Sequence, residues 1–127
     1  MPPPHGYSQV VIFKGGCKMI FISGQVANDS SGKFIGKGNL EEQAYQTFTN
    51  IKNGIEAVGG KMEHVVKLNN FLRDISNISI LRKVRDGFVN TTNPPASTTI
   101  QTVFDDENIL VEIDAIAIIP YLNKKIK

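Results

Sequence analysis

The fold is decided by a stretch near the C-terminal end of the chain, Ile109–Ile119, whose sequence is ILVEIDAIAII. Successive side chains of a strand point to opposite faces, so one face of this stretch is entirely apolar. The other face carries Leu, Glu, Asp, Ile and Ile. A strand that is apolar on both faces is typical of one that is covered on both sides. We therefore expect helices on one face of its sheet and a second copy of the chain on the other.

Runs rich in Val, Ile and Thr predict the other strands. Ser8–Phe13 and Cys17–Ser23 flank a Gly-Gly pair, which is typical of an antiparallel hairpin. His64–Leu72 predicts a single strand. Ser97–Phe104 and Ile109–Ile119 are separated by a short acidic segment and predict a second hairpin.

Two segments have helical periodicity. Asn39 is the predicted N-cap of the first helix, with Glu42 completing a capping box and Gly59-Gly60 ending the helix. Asp74 is the predicted cap of the second helix. The apolar stripes are Ala44, Phe48, Ile51, Ile55 and Val58 in the first helix, and Leu81, Val84 and Phe88 in the second. The predicted order is β-β-α-β-α-β-β, an α+β fold with both helices on one face of the sheet.

Length and charge exclude several classes of protein. A chain of 127 residues predicts one domain spanning 1–127, with an N-terminal extension at 1–5 and a basic tail at 121–127. A chain of this size buries roughly two-thirds of its unfolded surface, enough for a core without disulfides. The net charge of +2 depends on three lysines in the last four residues. The rest of the chain is close to neutral, which argues against a large nucleic-acid-binding surface.

The lone Cys17 and the absence of a signal-peptide pattern or long apolar segment predict a cytoplasmic protein that does not enter the membrane. His5 and His64 are the only histidines, and no Cys or His cluster has metal-ligand spacing. The sequence therefore predicts no metal and no cofactor.

Chemistry is most expected at the two carboxylates of the last strand, Glu112 and Asp114. A carboxylate in such an apolar strand needs a partner or a purpose. Either residue could act as a general acid or base. The alternative, a structural ion pair with Lys or Arg, is favoured by the pattern alone. The hydroxyls and amides of 94–99 could hold an anionic group, although turn chemistry explains them more simply.

Several segments together resemble the Rid/YjgF family of small imine and enamine deaminases. They are Gly6–Gln9, Phe21–Val26, Glu41–Gln43, Val65–Lys67, Pro95-Ala96 and Val111–Ala117. The resemblance covers essentially residues 6–118, in the order of the family. It implies a chorismate-mutase-like α+β fold, assembled as a homotrimer with three clefts between subunits.

The resemblance also assigns roles to residues. Glu112 matches the glutamate that positions the hydrolytic water. Tyr7, Ser23 and Gly24 match other positions that line the cleft. Thr99 falls where the family directs a backbone amide toward the substrate carboxylate.

One departure from the family bears directly on function. Deaminase members carry Arg directly after the Pro-Ala pair, where its guanidinium grips a substrate carboxylate, and this chain has Ser97. Arg82, on the second helix, aligns with a position near the cleft and could supply a cation from elsewhere. A solvated basic face with Lys83 and Arg85 is the favoured explanation for Arg82.

The resemblance therefore predicts a protein that binds small metabolites in clefts between subunits. It could hydrolyse an imine, an enamine or a related C–N bond, but not as a standard 2-iminobutanoate or 2-aminoacrylate deaminase. The alternative is a non-catalytic sensor or chaperone-like module on the same trimer, and the sequence leaves open which is correct. An RNA-directed endoribonuclease has the least support, because aromatic residues are sparse.

Overall fold

The computed structural model describes residue 1 and residues 3–121. Within these ranges the strands are β1 (Cys17–Gln25), β2 (Val65–Leu72), β3 (Ala96–Gln101) and β4 (Val111–Pro120). The helices are α1 (Leu40–Ala57) and α2 (Ile78–Asp86), with short 3-10 turns at Met62–His64 and Ile75–Asn77. This arrangement confirms the predicted α+β class. The predicted basic tail lies outside the described residues, except for Tyr121.

The sheet has the strand order β1-β4-β2-β3. β4 is antiparallel to both of its neighbours, β1 and β2, whereas β2 and β3 are parallel. The predicted hairpin between the last two strands is therefore wrong, because β2 lies between them. A strand, helix and parallel strand in sequence form a crossover unit, and α2 provides the crossover from β2 to β3.

The predicted first strand, Ser8–Phe13, does not form. It meets the sheet at a bridge between Ser8 and Ala96, in which the Ser8 N–H donates to the carbonyl of Pro95 at 2.9 Å. Val10 and Ile12 are exposed. Strand propensity depends on packing against a half-buried surface, and among the described residues nothing covers Val10 and Ile12 in this way. The hairpin with β1 is accordingly wrong, and the order is β-α-β-α-β-β.

Helix α1 begins at the predicted cap, Asn39, but the predicted capping box is not completed, because the Asn39 N–H donates to the Gly36 carbonyl at 2.8 Å and not to the Glu42 side chain. The Asn39 side chain accepts a hydrogen bond from the Glu42 N–H at 3.0 Å. Its end differs slightly, because the helix stops at Ala57 and leaves Val58 outside the buried stripe. Gly59, with φ of +92°, turns the chain away, a conformation that favours glycine.

The predicted cap of the second helix, Asp74, caps a 3-10 turn that precedes it, whereas α2 itself has Asn77 as its N-cap. The Asp74 side chain accepts from the Ser76 N–H at 3.0 Å, at the start of the 3-10 turn that leads into the helix. Leu81 and Val84 are buried. Beyond the helix, Phe88 stacks on Phe48 of α1 with the ring centroids 5.4 Å apart, which joins the two helices.

The core lies between the helices and the inward face of the sheet. The buried residues of β4 and α1 that form its centre are Val111, Ile113, Ala115, Ala117, Ala44, Phe48, Ile51 and Ile55. The outer face of the sheet remains apolar and open. Phe21 is 70% exposed and Met19 is 54% exposed, opposite Ile116 and Ile118 in the register. The patterning of β4 is thus confirmed, and its cover by a second copy stays a prediction.

No helix among the described residues is long and apolar enough to cross a membrane.

Candidate functional site

Glu112 lies on the outer face of β4, opposite Phe71 of β2. It is half-buried and borders a shallow cavity of about 270 Å³ with Phe71 and residues 102–105. Its carboxylate has no hydrogen-bond or ion-pair partner among residues 1 and 3–121. The ion pair with Lys or Arg that the pattern favoured is therefore not formed within the described chain.

Gly24 contacts Glu112 directly. A Cβ atom at this position would collide with the Glu112 carboxylate. Ser23 and Gly24 lie where the register of β1 against β4 shifts between Ile22 and Gln25, a β-bulge. Bulges redirect side chains at sheet edges and next to active sites. Here the bulge and the missing side chain leave space for the carboxylate against the β1 backbone.

The segment after Gly24 is fixed to helix α1. The Asn50 side-chain amide donates to the carbonyls of Val26 and Asn28 at 3.0 and 2.8 Å. The Gln46 amide in turn donates to the Asn50 side-chain oxygen at 2.9 Å. The position of Gly24 is therefore set by the helix as well as by the strand.

Asp114 differs from Glu112 although both carboxylates lie on the outer face. The Asn69 amide donates to Asp114 at 2.8 Å across the β2–β4 pair. Asp114 thus has a neutral structural partner. Of the two candidate carboxylates, Glu112 is the one left available to a ligand or a water.

Ser97 and Thr99 form a second group, on the inward side of the edge strand β3. Both are half-buried, and both accept hydrogen bonds from the Asn70 amide, at 2.9 and 3.3 Å. Sequence analysis missed Asn70. A usable signal was present, because Asn70 is a polar residue between Leu68 and Leu72 on an otherwise apolar face of β2.

Tyr7 lies near the start of β3. Its neighbour Ser8 bridges to Ala96 and hydrogen-bonds to Pro94 and Pro95. The structure therefore brings the chain at Tyr7 close to the strand that carries Ser97.

The predicted site residues accordingly fall into two groups within one chain. Glu112 and Gly24 lie together on the outer face, with Ser23 in the bulge beside them. Ser97 and Thr99 lie on the inward side of β3, and β2 separates that strand from β4. With neighbouring strands about 4.8 Å apart, the two strand backbones are roughly 10 Å apart. One chain does not present both groups to a single small molecule.

Arg82 is exposed on α2 and has no hydrogen-bond or ion-pair partner within the residues the structure describes. Its role as a substitute cation stays a prediction. The buried cation of this helix is Arg85, whose side chain is 8% exposed and pairs with Asp86 at 3.0 Å. A Cβ atom at Gly6 would lie in contact with the Arg85 guanidinium, which places Arg85 beside the N-terminal segment.

Arg73 holds the segment that borders the Glu112 cavity. Its guanidinium donates to the carbonyls of Ile109 and Asp106 at 2.8 and 2.9 Å. It also lies 5.4 Å from the ring centroid of Phe104, within range of a cation–π interaction. Arg73 follows β2 directly, so the same strand places Phe71 at the cavity and Arg73 against Phe104, which lines it.

Two carboxylates outside the site have shifted pKa values. The hydroxyl of Ser31, followed by the backbone N–H of Lys33, holds the pKa of Asp29 below its usual value. Hydrogen bonds from the side chain and then the backbone of Ser76 lower the pKa of Asp74 in the same way. Both carboxylates organise turns, and their ionised forms are the stabilised ones.

A cavity of about 860 Å³ lies between α1 and α2. Its apolar lining includes Tyr45, Val84 and Phe88, with Glu42 and Lys83 among its charged residues. The predicted site residues lie elsewhere, so volume alone does not mark the site that the sequence indicates.

The chain has two helices on one face of a four-stranded mixed sheet. Within the described residues it also has an unpaired carboxylate, Glu112, beside a β-bulge that contains Gly24. These features define a class of small α+β proteins. Residues 1–119 match the family model described as endoribonuclease L-PSP. The chain belongs to this family, also called Rid/YjgF, which confirms the resemblance seen in the sequence.

Two relatives show the range of names in the family. A RutC family protein of Synechocystis is 31% identical over 121 residues, covering 94% of this chain and 91% of the relative. A 2-iminobutanoate/2-iminopropanoate deaminase of Dermatophagoides farinae is 33% identical over 119 residues, covering 93% and 90%.

Solved structures agree with the fold. A protein of unknown function from the Rid family, YyfB of Yersinia pestis, has a TM-score of 0.77 at 25% identity, covering 88% of this chain and 86% of that one. RidA from an Antarctic Psychrobacter has a TM-score of 0.72 at 31% identity, covering 93% and 92%.

Proposed function

We propose that this protein binds small metabolites in clefts between copies of itself, where Glu112 positions a water that hydrolyses an imine, an enamine or a related C–N bond. The observation that carries the proposal is the Glu112 carboxylate, half-buried beside Gly24 and without a partner in the described chain. An ionised carboxylate only accepts hydrogen bonds, so it can orient a water and take its proton.

Self-association is part of the proposal. The open apolar face around Phe21 and Met19 supports it, because exposed apolar patches mark interaction sites. The homotrimer is the assembly that the family resemblance implies. A second copy would bring its own Ser97 and Thr99 toward the Glu112 of the first, which completes a cleft that one chain leaves divided.

The substrate class follows from Ser97. A serine has neither the charge nor the two-pronged geometry of an arginine that grips a carboxylate. Loss of such a contact costs about 2–5 kcal/mol of binding. Substrates without a free α-carboxylate therefore fit this cleft better than 2-iminobutanoate or 2-aminoacrylate.

The test is ammonia release from enzymatically generated 2-iminobutanoate. We expect little turnover by the wild type and a gain of about tenfold or more in Ser97→Arg. The gain should disappear in Ser97→Arg/Glu112→Gln, which keeps the shape of the side chain but removes the base. Substantial wild-type turnover would contradict the assigned role of Ser97.

A non-catalytic sensor is the second candidate. It is favoured by the neutral surroundings of Ser97, whose hydrogen-bond partner is the Asn70 amide. In that case small metabolites would raise the melting temperature without being turned over, and Glu112→Ala would bind them equally well.

RNA cleavage is the least supported candidate, although the family model carries the name endoribonuclease. The positive excess of the chain lies in its last four residues. A chain ending at Asn123 should therefore bind RNA much more weakly than the full chain.

We also propose that the protein is cytoplasmic, because a single Cys17 suits a reducing compartment.

A further inference from the structure

Asn70 is the most deeply buried polar residue of β2, with 2% of its surface exposed. It lies between Leu68 and Leu72 on the face that packs against the helices. Burial of an amide in such a setting is unfavourable unless the amide is hydrogen-bonded. The contacts of this side chain therefore determine what the position does.

The orientation of the Asn70 amide is fixed by its neighbours. Its Nδ2 lies 3.0 Å from the carbonyl oxygen of Thr98, which can only accept a hydrogen bond. The atom that faces Thr98 must therefore be the nitrogen. The same nitrogen lies 2.9 Å from the Ser97 Oγ and 3.3 Å from the Thr99 Oγ1.

This orientation sets the polarity of both hydroxyls. The amide nitrogen has two protons for three acceptors, so the most distant one, Thr99 Oγ1, at best shares a proton with the other two. The nitrogen itself cannot accept, so each hydroxyl keeps its O–H proton to donate elsewhere. Within the described ranges, neither proton has an acceptor in the protein. Asn70 Oδ1 is likewise buried without a partner among these residues, so it does not compete for the hydroxyl protons.

Ser97 and Thr99 therefore present two neutral donors on the same side of an edge strand, with their backbones about 7 Å apart. Lys67, the cation on the neighbouring strand, donates to Thr98 Oγ1 at 2.9 Å. The register places Thr98 between Ser97 and Thr99, on the opposite face of β3. No cation is hydrogen-bonded to this pair of hydroxyls in the part of the chain described here.

We propose that Asn70 makes the Ser97–Thr99 pair a subsite for an uncharged carbonyl group, such as that of a carboxamide, and not for a carboxylate. A carbonyl oxygen has two lone pairs and can accept from both hydroxyls. A carboxylate at the same place would be desolvated with no cation to compensate. The inference rests on the proposed function for the placement of a small molecule in this cleft, and it adds the chemical class of the group bound.

The test compares two stable ligands of the same shape, 2-oxobutanamide and 2-oxobutanoate, by calorimetric titration of the full chain. We expect the amide to bind about tenfold more tightly than the acid in the wild type. Asn70→Asp is close in size but reverses the polarity, because its oxygens accept the hydroxyl protons. This variant should weaken amide binding about tenfold. Asn90→Asp, at an exposed turn where the side-chain oxygen already accepts, is the matched control.

A second pair of variants keeps the test decisive if Asn70→Asp fails to fold. Thr99→Val removes one donor at constant shape and should weaken amide binding severalfold, whereas Thr99→Ser should retain it. Equal or tighter binding of the acid overturns the inference, as does amide binding that Thr99→Val leaves unchanged. Failure of both ligands to bind also overturns it. The proposed function is judged separately, by whether turnover of any C–N substrate depends on Glu112.

Discussion

Gly24 lies so close to Glu112 that a single added carbon would overlap the carboxylate. This contact joins the bulge of β1 to the face of β4 that carries the candidate base. Since Glu112 has no other partner in the described chain, the space at Gly24 sets where its carboxylate lies.

The first prediction is that Gly24→Ala displaces Glu112. Insertion of a methyl group into a packed contact costs about 1–3 kcal/mol, and the catalytic geometry should suffer more than the fold. We expect a lower denaturation midpoint together with loss of any activity that depends on Glu112. Urea unfolding and activity assays on the same preparation would separate the two effects. Unchanged activity would contradict the positional role of Gly24.

Gly54→Ala is the matched control and a prediction of its own. Gly54 lies inside α1, and a Cβ atom there would meet nothing within 4 Å. Alanine is favoured over glycine in a helix interior by about 1 kcal/mol. This variant should therefore raise the free energy of unfolding by about that amount. A lower free energy of unfolding would show that an alanine at position 54 does meet other atoms.

Arg73→Ala should loosen the segment that borders the Glu112 cavity. It removes two hydrogen bonds to the carbonyls of Ile109 and Asp106 and the contact with Phe104. We expect a loss of about 2 kcal/mol in unfolding free energy and faster amide hydrogen exchange in residues 104–110.

Arg82→Ala removes an exposed guanidinium and should change stability by less than about 0.5 kcal/mol. If Arg82→Ala weakens ligand binding, its predicted role as a substitute cation is supported.

The open face of the sheet predicts that Phe21→Glu prevents self-association. A charge in the centre of an apolar interface is strongly unfavourable unless it is paired. Light scattering coupled to size exclusion should give a monomer mass for this variant and a trimer mass for the wild type. Val58→Glu, at the end of α1 on the helix side, should leave the mass unchanged. A monomeric wild type would contradict the assembly.

Stability should fall at acid pH partly through Asp74. Hydrogen bonds from the side chain and the backbone of Ser76 hold its pKa below the ordinary value in the folded chain, so the ionised Asp74 stabilises the fold above that ordinary value. The contribution is lost as the pH falls through the folded-state pKa. Asp74→Asn keeps an acceptor for Ser76 but does not titrate, so its urea midpoint should fall less between about pH 5 and pH 2. Identical pH profiles would count against this role of Asp74.

Features that depend on local sequence could be predicted. Asn39 capped the helix as expected, and the double apolar pattern of β4 correctly indicated a strand with its inner face buried. The expected cover of its outer face by a second copy stays a prediction. Ser8–Phe13 failed because its strand propensity needs a packing surface that local sequence does not reveal. The predicted hairpin of β3 with β4 failed for a topological reason: the helix between β2 and β3 permits a parallel crossover, which places β3 beside β2.

Some residues of the candidate site could be predicted from the sequence, and others could not. The pattern alone favoured an ion pair for Glu112, and it was the resemblance to a family that gave this residue a role. Glu112 and the Ser97–Thr99 pair lie on different faces of the sheet, on strands that β2 separates. The sequence predicted a different strand order and therefore did not reveal this division. Asn70 could have been singled out as a polar residue on an otherwise apolar face of β2, whereas the importance of Arg73 depends on contacts with residues that lie far away in the chain.

The claim that the cleft needs two copies is tested most directly by mixing two chains that are each inactive on 2-iminobutanoate. One carries Ser97→Arg and Glu112→Gln, and so lacks the base. The other is the wild type, which lacks the arginine. Each chain alone should release little ammonia from 2-iminobutanoate. Mixtures of the two chains that are refolded together should be active, because some of their clefts combine the introduced arginine of one chain with Glu112 of the other. If Ser97→Arg alone is active but the mixture stays as inactive as its components, both groups act within one chain and the account is contradicted.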